Sequence, residues 1–340
     1  MSDNAQLLLL GFDEAMRRAD LEAANAAERE RNRKRVEVAF DINSSLPTPE
    51  DLAFLHAGLC QTHLPRSRPA SNRSVWLRQS GRFRLVIQPG MLVPEGRNTS
   101  RAAEVDDETF YCGVPYGPKA RLILIWLQSE GVKGRVVSMD RSMSAWIRSL
   151  GLPVTGGSKG TIQAVREQTL RIAMCSFSFQ WSDRDGQGNA AQRVKNARIV
   201  DGMELWQAAG DSSKWATTVQ LSEEFYNHLR EHAVPLDRRA IAHLAGNSLA
   251  LDLYAFFAHR LHRLREPIML GWNNLSDQFG DEGPTVYRTA QRIRETLPEI
   301  RAVYPSLKVE VTRRGLVLRR SPPPVPPATT VPGARLTLIK

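Results

Sequence analysis

Residues 284–320 have the sequence PTVYRTAQRIRETLPEIRAVYPSLKVEVTRRGLVLRR, and this stretch decides the fold that the sequence predicts. Its first half places apolar residues at helical spacing, so that they form one stripe that must face a core. The stripe consists of Val286, Ile293, Leu297 and Ile300. Pro298 removes one backbone hydrogen bond, but the half of the helix that precedes it is unaffected. We therefore predict a long amphipathic helix.

The second half of the stretch predicts a β-hairpin. Lys308–Thr312 and Leu316–Arg320 are two short runs with apolar residues, and residues 313–315 form the turn between them. Gly315 permits the positive φ that a tight turn needs. Prolines stop the second strand, and we expect residues 321–340 to form a proline-rich, extended tail.

The order of elements around this stretch occurs twice in the chain. Ahead of it, SLALDLYAFFAHRLHRLRE predicts an apolar helix, PIML a short strand and WNNLSDQFG a short helix. Earlier, GPKARLILIWLQSEG, RVVSM and SMSAWIRSLGLP give the same order, and GTIQAVREQTLRIAMCSFSFQW gives a long helix that continues into a strand. Helix, strand, short helix, long helix and hairpin is the order of the winged helix-turn-helix. We predict an α+β fold with two tandem winged-helix domains, an N-terminal helical arm and a β-hairpin extension.

Positive charge is concentrated in residues 284–320, where nine Lys or Arg residues face three Glu, a local net charge of +6. In a winged helix the long helix enters the major groove and the hairpin contacts the backbone. The residues predicted to contact bases are Thr285, Arg288, Gln291 and Arg292. The wing residues predicted to contact phosphate are Arg313, Arg314, Arg319 and Arg320. The alternative is that these arginines only solvate an amphipathic helix.

The long helix of the first copy has less positive charge. Its corresponding residues are Lys159, Gln163, Arg166 and Arg171, with Glu167 on the same helix. We predict auxiliary DNA contacts by Lys159, Gln163 and Arg166, and the lower charge makes this domain the better candidate for a protein interface.

The predicted domain limits follow changes in composition. Residues 1–47, rich in Ala, Glu and Arg, predict an exposed, flexible arm. Residues 48–107 begin with TPEDLAFLHAGLCQTHLP, which predicts a helix, and continue with a β-hairpin and a polar linker. We assign the first winged-helix domain to 108–210 and the second to 211–320.

The composition of the whole chain favours a polyanionic partner. The 340 residues carry a net charge of +10 with a pI near 9.9, and clustered Lys and Arg gain free energy by releasing counterions from phosphates. Three widely spaced cysteines fit neither a disulfide framework nor a CxxC metal pattern, but they fit a reducing cytoplasm. The apolar run Leu7–Leu10 follows acidic Asp3, unlike a signal peptide, and no segment is typical of a membrane span. We expect a cytoplasmic protein with no cofactor and no membrane partner.

Two short motifs have alternative interpretations. QLLLL at residues 6–10 is similar to the peptide by which replication proteins bind the bacterial sliding clamp, and the alternative is the apolar start of a helix. His56, Cys60 and His63 would share one face of a helix as zinc-compatible residues. No fourth ligand is evident, so a packing cysteine with half-buried histidines is favoured.

The sequence gives no pattern of catalytic residues. GGSKG at 156–160 follows a helix and is too short to hold a triphosphate, so it fits the turn before the first long helix. Asp201 and Glu204 have no third carboxylate near them for a two-metal nuclease. His259 and His262 lie in an arginine-bearing helix, where snorkelling to the surface or a position near phosphate is favoured over metal binding. We therefore predict a DNA-binding protein that is not an enzyme.

Four segments, VPYGPKARLILIWLQSE, RSMSAWIRSLGLPVTGG, FYNHLREHAVPLD and SLALDLYAFFAHRLHRL, resemble the RepA-type plasmid replication initiators of bacteria. The resemblance covers residues 52–324. It implies a protein that binds repeated origin sites (iterons), helps to melt adjacent AT-rich DNA and recruits host replication proteins. It also implies an N-terminal winged-helix domain used for dimer formation and a C-terminal one used for sequence recognition.

Three functions follow as hypotheses. The first is an initiator that binds double-stranded plasmid origin DNA, forms a dimer and contacts host helicase or initiator proteins and the sliding clamp. The second is a transcriptional repressor that uses the same winged helices, including at its own promoter. The third, from a different class, is a nicking enzyme.

Overall fold

The computed structural model describes residues 11–92, 108–140, 142–184, 190–203, 218–281 and 285–327. Helices and strands are mixed along these ranges, which confirms the predicted α+β class. The described chain divides into two compact units. The first unit holds residues 11–53 and 234–327, and the second holds the described residues between 54 and 233.

The elements are numbered along the chain. The helices are α1 Phe12–Leu21, α2 Ala26–Ser44, α3 Ala57–Gln61, α4 Gly117–Gly131, α5 Met143–Ser149, α6 Thr161–Met174, α7 Glu223–His232, α8 Arg238–Leu244, α9 Ser248–Arg260, α10 Trp272–Phe279 and α11 Val286–Val303. The strands are β1 Leu52–His56, β2 Trp76–Ser80, β3 Phe83–Gln88, β4 Val136–Ser138, β5 Ser176–Arg184, β6 Ala190–Arg198, β7 Val200–Met203, β8 Thr218–Leu221, β9 Ala233–Asp237, β10 Ile268–Gly271, β11 Val309–Val311 and β12 Gly315–Leu318. Short 3-10 turns occur at Pro49–Asp51, Glu108–Phe110 and Leu261–Arg263.

The core of the first unit forms around α9. This helix is apolar on nearly all sides, and its Tyr254, Phe256 and Phe257 are completely buried. A helix that is hydrophobic all round must be enclosed by other elements, and α9 contacts α8 and α11. Beside these helices, β10, β12 and β11 form an antiparallel sheet in that order.

The second unit repeats this arrangement. The order α9, β10, α10, α11 and the β11–β12 hairpin corresponds to α4, β4, α5, α6 and the β7–β8 pair. The sheet order is equivalent, because β4, β8 and β7 are neighbours as β10, β12 and β11 are. The predicted domain limit at residue 210 falls between β7 and β8. These two strands pair with each other, and β8 also pairs with β4.

The second unit differs from the first by an insertion. Strands β5 and β6 lie between α6 and β7 in the chain and join β2 and β3 in a four-stranded antiparallel sheet of order β2-β3-β5-β6. The predicted hairpin at residues 76–88 is therefore present, and β5 extends it. The predicted linker after it lies outside the described residues.

The helix expected to start at Thr48 is wrong in its first part. Thr48 does cap a 3-10 turn, and its hydroxyl and backbone N–H both donate to Asp51, at 2.8 and 2.9 Å. The apolar run that follows is the strand β1, which pairs with β9, and only the five residues of α3 are helical. All five residues of β1 are buried. A short apolar run has the same pattern in a buried strand as in a buried helix, so periodicity could not separate the two.

The expectation of an exposed, frayed arm is also corrected. Residues 12–44 form α1 and α2, which share a small core of Ala15, Ala19 and Val36 with Met16 and Phe40 against it. The α2 helix also packs against α8 and α11. Its contacts depend on alanines and a few β-branched residues, which give a weak hydrophobic pattern in the sequence.

The predicted tail starts later than residue 321. Ser321 and Val325 are 1% and 3% exposed, and the hydroxyl of Tyr304 donates to the carbonyl of Pro322 at 2.6 Å. The segment after β12 therefore packs on the core as far as Val325. The remainder of the predicted tail, residues 328–340, lies outside the described residues.

We predict that Ile42→Ala lowers the free energy of unfolding by roughly 2–4 kcal/mol, as is typical of removing a buried aliphatic side chain. Ile42 lies on α2 and is 7% exposed, whereas Leu46, just beyond the helix, is 76% exposed. Leu46→Ala serves as the control and should change stability by less than about 0.5 kcal/mol. Denaturant unfolding measures both, and equal, small effects would show that α2 is an arm after all.

Candidate nucleic-acid interface

The N-terminal half of α11 presents its polar residues on one exposed side. Ile293, Leu297 and Ile300 are at most 1% exposed, as the apolar stripe predicted. Arg288, Gln291 and Arg292 are exposed on the opposite side of the helix. Val286 differs from the prediction, because it is 38% exposed at the first turn of the helix and does not join the core.

The four residues predicted to contact bases have different local partners. Thr285 is the N-cap of α11, and its hydroxyl accepts from the backbone N–H of Arg288 at 3.4 Å. Nη1 of Arg292 lies 3.0 Å from Oδ2 of Asp281, and Nε2 of Gln291 donates to Oε1 of Glu295 at 2.9 Å. Within the described ranges the guanidinium of Arg288 has no ion pair. Arg288 is therefore the most available of the four, and Thr285 has a structural role as a cap.

Trp272 connects α11, α10 and the β11–β12 hairpin. Its indole N–H donates to the carbonyl of Arg313, and its backbone N–H donates to the carbonyl of Arg314, both at 3.1 Å. Its ring lies 4.5 Å from the guanidinium of Arg294 on α11, a cation–π distance. These contacts hold the carbonyls of the hairpin turn inward, and the side chains of Arg313 and Arg314 are exposed.

The hairpin turn requires glycine at residue 315 because two backbones approach closely. The sequence predicted a positive φ, and φ is 159°, which is close to extended backbone. A Cβ on Gly315 would lie 1.9 Å from the carbonyl oxygen of Leu270 on β10. The hydroxyl of Thr312 closes the turn by donating to the carbonyl of Gly315 at 2.9 Å.

The predicted wing arginines lie in two groups. Arg313 and Arg314 are at the turn, whereas Arg319 and Arg320 follow the far end of β12. Four residues of extended chain separate Gly315 from Arg319, a span of roughly 13 Å. Arg319 also lies 3.6 Å from a carboxylate oxygen of Glu310. The four arginines therefore do not form one phosphate contact.

Sequence reasoning missed two residues of this face. Tyr287 is 74% exposed at the second position of α11, and Trp272 supports the hairpin turn. Tyr287 directly precedes Arg288, which was singled out by its charge, but aromatic residues carried no weight in that argument. The exposed aromatic ring beside Arg288 was a signal that could have been used.

In the second unit the structure divides the basic residues of α6. Lys159, Gln163 and Arg166 are exposed, as an auxiliary contact requires. Arg171 is 3% exposed, and its Nη2 lies 2.9 Å from Oε1 of Glu167. Arg171 also donates to the carbonyl of Val114 at 3.1 Å, so it is a structural residue and not a counterpart of the exposed arginines.

The segment 156–160 forms the turn before α6, as predicted. Gly157 has a φ of 83°, and the backbone N–H of Gly160 donates to the carbonyl of Gly157 at 3.0 Å. The hydroxyl of Thr155 accepts from the backbone N–H of Thr161 at 2.8 Å, which satisfies a donor of the first helical turn. Lys159 is thereby placed at the start of the helix.

The residues considered as metal ligands do not share one helix face, because His56 ends β1 and His63 lies beyond the end of α3. His56 is the N-cap of α3, where its Nδ1 accepts from the N–H of Gly58, and its Nε2 lies 2.8 Å from Nδ1 of His228. Nδ1 of His63 lies 2.7 Å from the carbonyl oxygen of Leu64. Burial and the charges of nearby arginines hold the pKa of His63 well below its usual value. In the part of the chain that the structure describes, no group of three or more His, Cys, Asp or Glu residues could hold a metal ion.

The remaining predicted features have structural partners or lie outside the described residues. Asp201 pairs with Nη2 of Arg135 at 2.9 Å. Burial raises the pKa of the Cys175 thiol to about 12. Glu204 and the QLLLL motif at residues 6–10 are outside the described ranges. No helix among the described residues is long and apolar enough to span a membrane.

Comparison with known proteins gives a family match and similarity to a solved structure. The model of a family described as plasmid encoded RepA protein matches residues 114–274. The match covers slightly less than half of the chain, and it confirms the resemblance to RepA-type replication initiators. A crystal structure of selenomethionine derivatives of domain 2 and domain 3 of RctB is similar with a TM-score of 0.42 and 12% identity, covering 76% of this chain and 86% of that chain. Curated proteins give no match.

The family match and the basic face of α11 are independent observations. The matched segment ends within α10, so α11 and the β11–β12 hairpin lie beyond it. The exposed arginines of this face therefore have to be interpreted from their own geometry.

We predict that Gly315→Ala destabilises the protein by several kcal/mol, on the order of 2–4, because the added Cβ must displace the backbone of β10. Gly246 is the matched control, since a Cβ there meets no atom within 4 Å. Gly246→Ala should leave the unfolding midpoint unchanged or slightly higher. Thermal unfolding of both variants measures the difference, and an equal midpoint would contradict the close approach of β10 and β12.

Proposed function

We propose that the chain is a plasmid replication initiator that binds repeated origin sites (iterons) through two winged-helix domains, promotes origin opening and recruits host replication proteins. The observation that carries the proposal is that α11 exposes Arg288 and Arg292, while the hairpin turn, which Trp272 joins to α11, exposes Arg313 and Arg314. The match of residues 114–274 to the plasmid-encoded RepA family supports the initiator role.

In the proposed complex α11 is the recognition helix of the second winged-helix domain, which lies in the first unit of the structure. A major groove about 12 Å wide admits one α-helix, and arginine pairs well with the O6 and N7 acceptors of guanine. Arg288 supplies such a contact directly, and Arg292 does so by exchanging Asp281 for a base. Gln291 suits adenine once it leaves Glu295, and Tyr287 adds an apolar surface next to Arg288.

The β11–β12 hairpin is the proposed wing. Its turn arginines, Arg313 and Arg314, are positioned to contact phosphate because Trp272 holds their carbonyls against α10. Phosphate contacts fix the register of a protein on DNA, whereas base contacts distinguish sequences. Helix and wing thus divide affinity and specificity between them.

The first domain takes the auxiliary role. Its exposed Gln163 and Arg166 lie on α6, the counterpart of α11, and its exposed Lys159 lies in the turn before α6. This face carries less positive charge than that of the second domain. We assign to this domain the auxiliary DNA contact and dimer formation. Host helicase or initiator proteins and the sliding clamp are the further partners that an initiator requires, and QLLLL at residues 6–10 is the proposed clamp motif.

We predict opposite signatures for helix and wing variants. Arg288→Ala should reduce the preference for the specific site by about 1–3 kcal/mol, because it removes a base contact. Arg313→Ala should weaken binding to every sequence and lower the salt-dependence slope by about one, because it removes a phosphate contact. Binding to specific and unrelated duplexes over a range of salt concentrations measures both effects.

Arg17→Ala is the control for loss of one positive charge, since Arg17 lies on α1 with a side chain that is 73% exposed. It should change neither quantity by more than a small amount. If Arg288→Ala and Arg313→Ala reduce specific and non-specific binding in the same proportion, the division between helix and wing is wrong.

We predict that footprinting on the DNA that flanks the gene protects several direct repeats beside an AT-rich tract. Repeats spaced by about two helical turns, roughly 21 base pairs, would place each bound protein on the same side of the duplex. Protection of one inverted repeat over a promoter would instead favour a repressor. Supercoiled origin DNA incubated with the protein and a divalent metal should stay unnicked, and nicking would contradict a purely DNA-binding role.

A further inference from the structure

A group of basic residues lies at the C-terminal end of α9, within the first unit. We name it the α9 basic cluster, and it consists of His259, Arg260, His262, Arg263 and Arg320. His262 and Arg263 belong to the 3-10 turn that follows α9. The backbone N–H of Ser321 donates to the carbonyl of Leu261 in this turn at 3.4 Å, which places Arg320 beside it.

Arg263 fixes the position of the proton on both histidines. Its Nη1 lies 3.0 Å from Nε2 of His259, and its Nε lies 3.3 Å from Nε2 of His262. A guanidinium group donates and never accepts, so both Nε2 atoms must be acceptors. Each neutral imidazole therefore carries its proton on Nδ1. For His262 this proton has an acceptor, because Nδ1 lies 3.0 Å from the carbonyl of Ala258.

The corresponding proton of His259 has no acceptor in the described part of the chain. His259 is only 8% exposed, and its Nδ1 is buried without a hydrogen-bond partner among the described residues. The same holds for Nε of Arg260. Buried donors are nearly always paired in folded proteins, so each of these two donors calls for an acceptor that the described residues do not supply.

The charges around this position are positive. Burial lowers the pKa of His259 to about 3, and the charges of Arg263, His262 and Arg260 act in the same direction. Burial also lowers the pKa of His262, the hydrogen bond to Ala258 opposes that effect, and Arg263 and Arg320 add to the lowering. Burial is likewise what lowers the pKa of the Arg260 guanidinium. The C-terminal end of the α9 dipole offsets only about half a unit of this positive charge. The remaining positive charge would bind an anion favourably.

The α9 basic cluster is separate from the proposed wing contact. The β12 strand begins at the hairpin turn with Gly315, and Arg320 follows its other end. Five residues of extended chain span roughly 16 Å. A single phosphate group cannot contact both the hairpin turn and the α9 basic cluster.

We propose that the α9 basic cluster binds a phosphate group, with Arg260 and Arg320 as charged donors, Nδ1–H of His259 as a neutral donor and Arg263 as the residue that orients the two histidines. Phosphate oxygens are acceptors that match guanidinium donors. The imidazole of His259 is buried and adds a donor whose position is fixed. The phosphate comes either from a DNA backbone or from a small soluble phosphate. The first source rests on the proposed function, and the second does not.

The test uses the full chain with inorganic phosphate as the probe, at an ionic strength held constant with sodium chloride. Calorimetry should give saturable binding with a parallel rise in Tm. Arg260→Gln should weaken this binding roughly tenfold, since it removes a charge-assisted hydrogen bond. Arg265→Gln is the matched control, an exposed arginine two residues beyond Arg263, and it should bind like the wild type. Absence of saturable binding, or equal binding by both variants, overturns the proposal.

A second measurement does not depend on how any variant folds. In wild-type protein labelled with 15N-histidine, the Nδ1–H of His259 gives a separate proton signal. Phosphate should shift this signal, because a phosphate oxygen becomes the acceptor, while the signal of His262 changes little. A His259 signal that stays in place at saturating phosphate overturns the role of this donor.

Competition with DNA distinguishes the two sources of phosphate. If the ligand is a DNA backbone, a short duplex of arbitrary sequence should compete with phosphate, and Arg260→Gln should weaken binding to every duplex. If it is a small phosphate, phosphate should saturate the site without changing duplex affinity. Both results support the site. Failure of the proposed function would be a different result. The wild-type protein would bind phosphate but would bind all DNA sequences equally, so Arg288→Ala would have no sequence preference to remove.

Discussion

The contacts of Trp272 are the constraint on which the candidate interface depends. One indole N–H and one backbone N–H hold two consecutive carbonyls of the hairpin turn, and the same ring lies under Arg294 of α11. The turn, the long helix and the start of α10 are therefore joined by a single residue. Without its side chain, the turn that carries Arg313 and Arg314 would lose its link to α11, although β12 would still pair with β10.

The arginines of this protein fall into two physical classes, and their function follows from that division. Arg171 and Arg121 are buried and donate hydrogen bonds to backbone carbonyls or a carboxylate, so they stabilise the fold. Arg288, Arg313 and Arg314 are exposed and hold no ion pair in the described ranges, so they can exchange water for phosphate or base acceptors. The α9 basic cluster lies between these classes, since part of it is buried and part reaches solvent.

Sequence reasoning succeeded where a pattern was long. The amphipathic period of α11, the hairpin after it and the repeated order of elements all extend over ten or more residues, and the structure contains each of them. It failed where the pattern was short or weak. Leu52–His56 has no period that separates a strand from a helix, and the alanines of α1 and α2 gave little sign that they pack in a core. Arg171 was grouped with exposed residues because charge alone does not report burial.

The sequence by itself determined the α+β class, the two copies of one arrangement and the concentration of charge near the C-terminal end, because local periodicity and composition are properties of the chain. Only the tertiary structure decided which arginines are available, because availability depends on partners that are distant in sequence. Asp281 pairs with Arg292, Glu310 with Arg319, and β10 approaches Gly315 closely enough to exclude a side chain. The unpaired proton of His259 is likewise visible only once Arg263 is placed beside it, since the position of that proton follows from the partner of the other ring nitrogen.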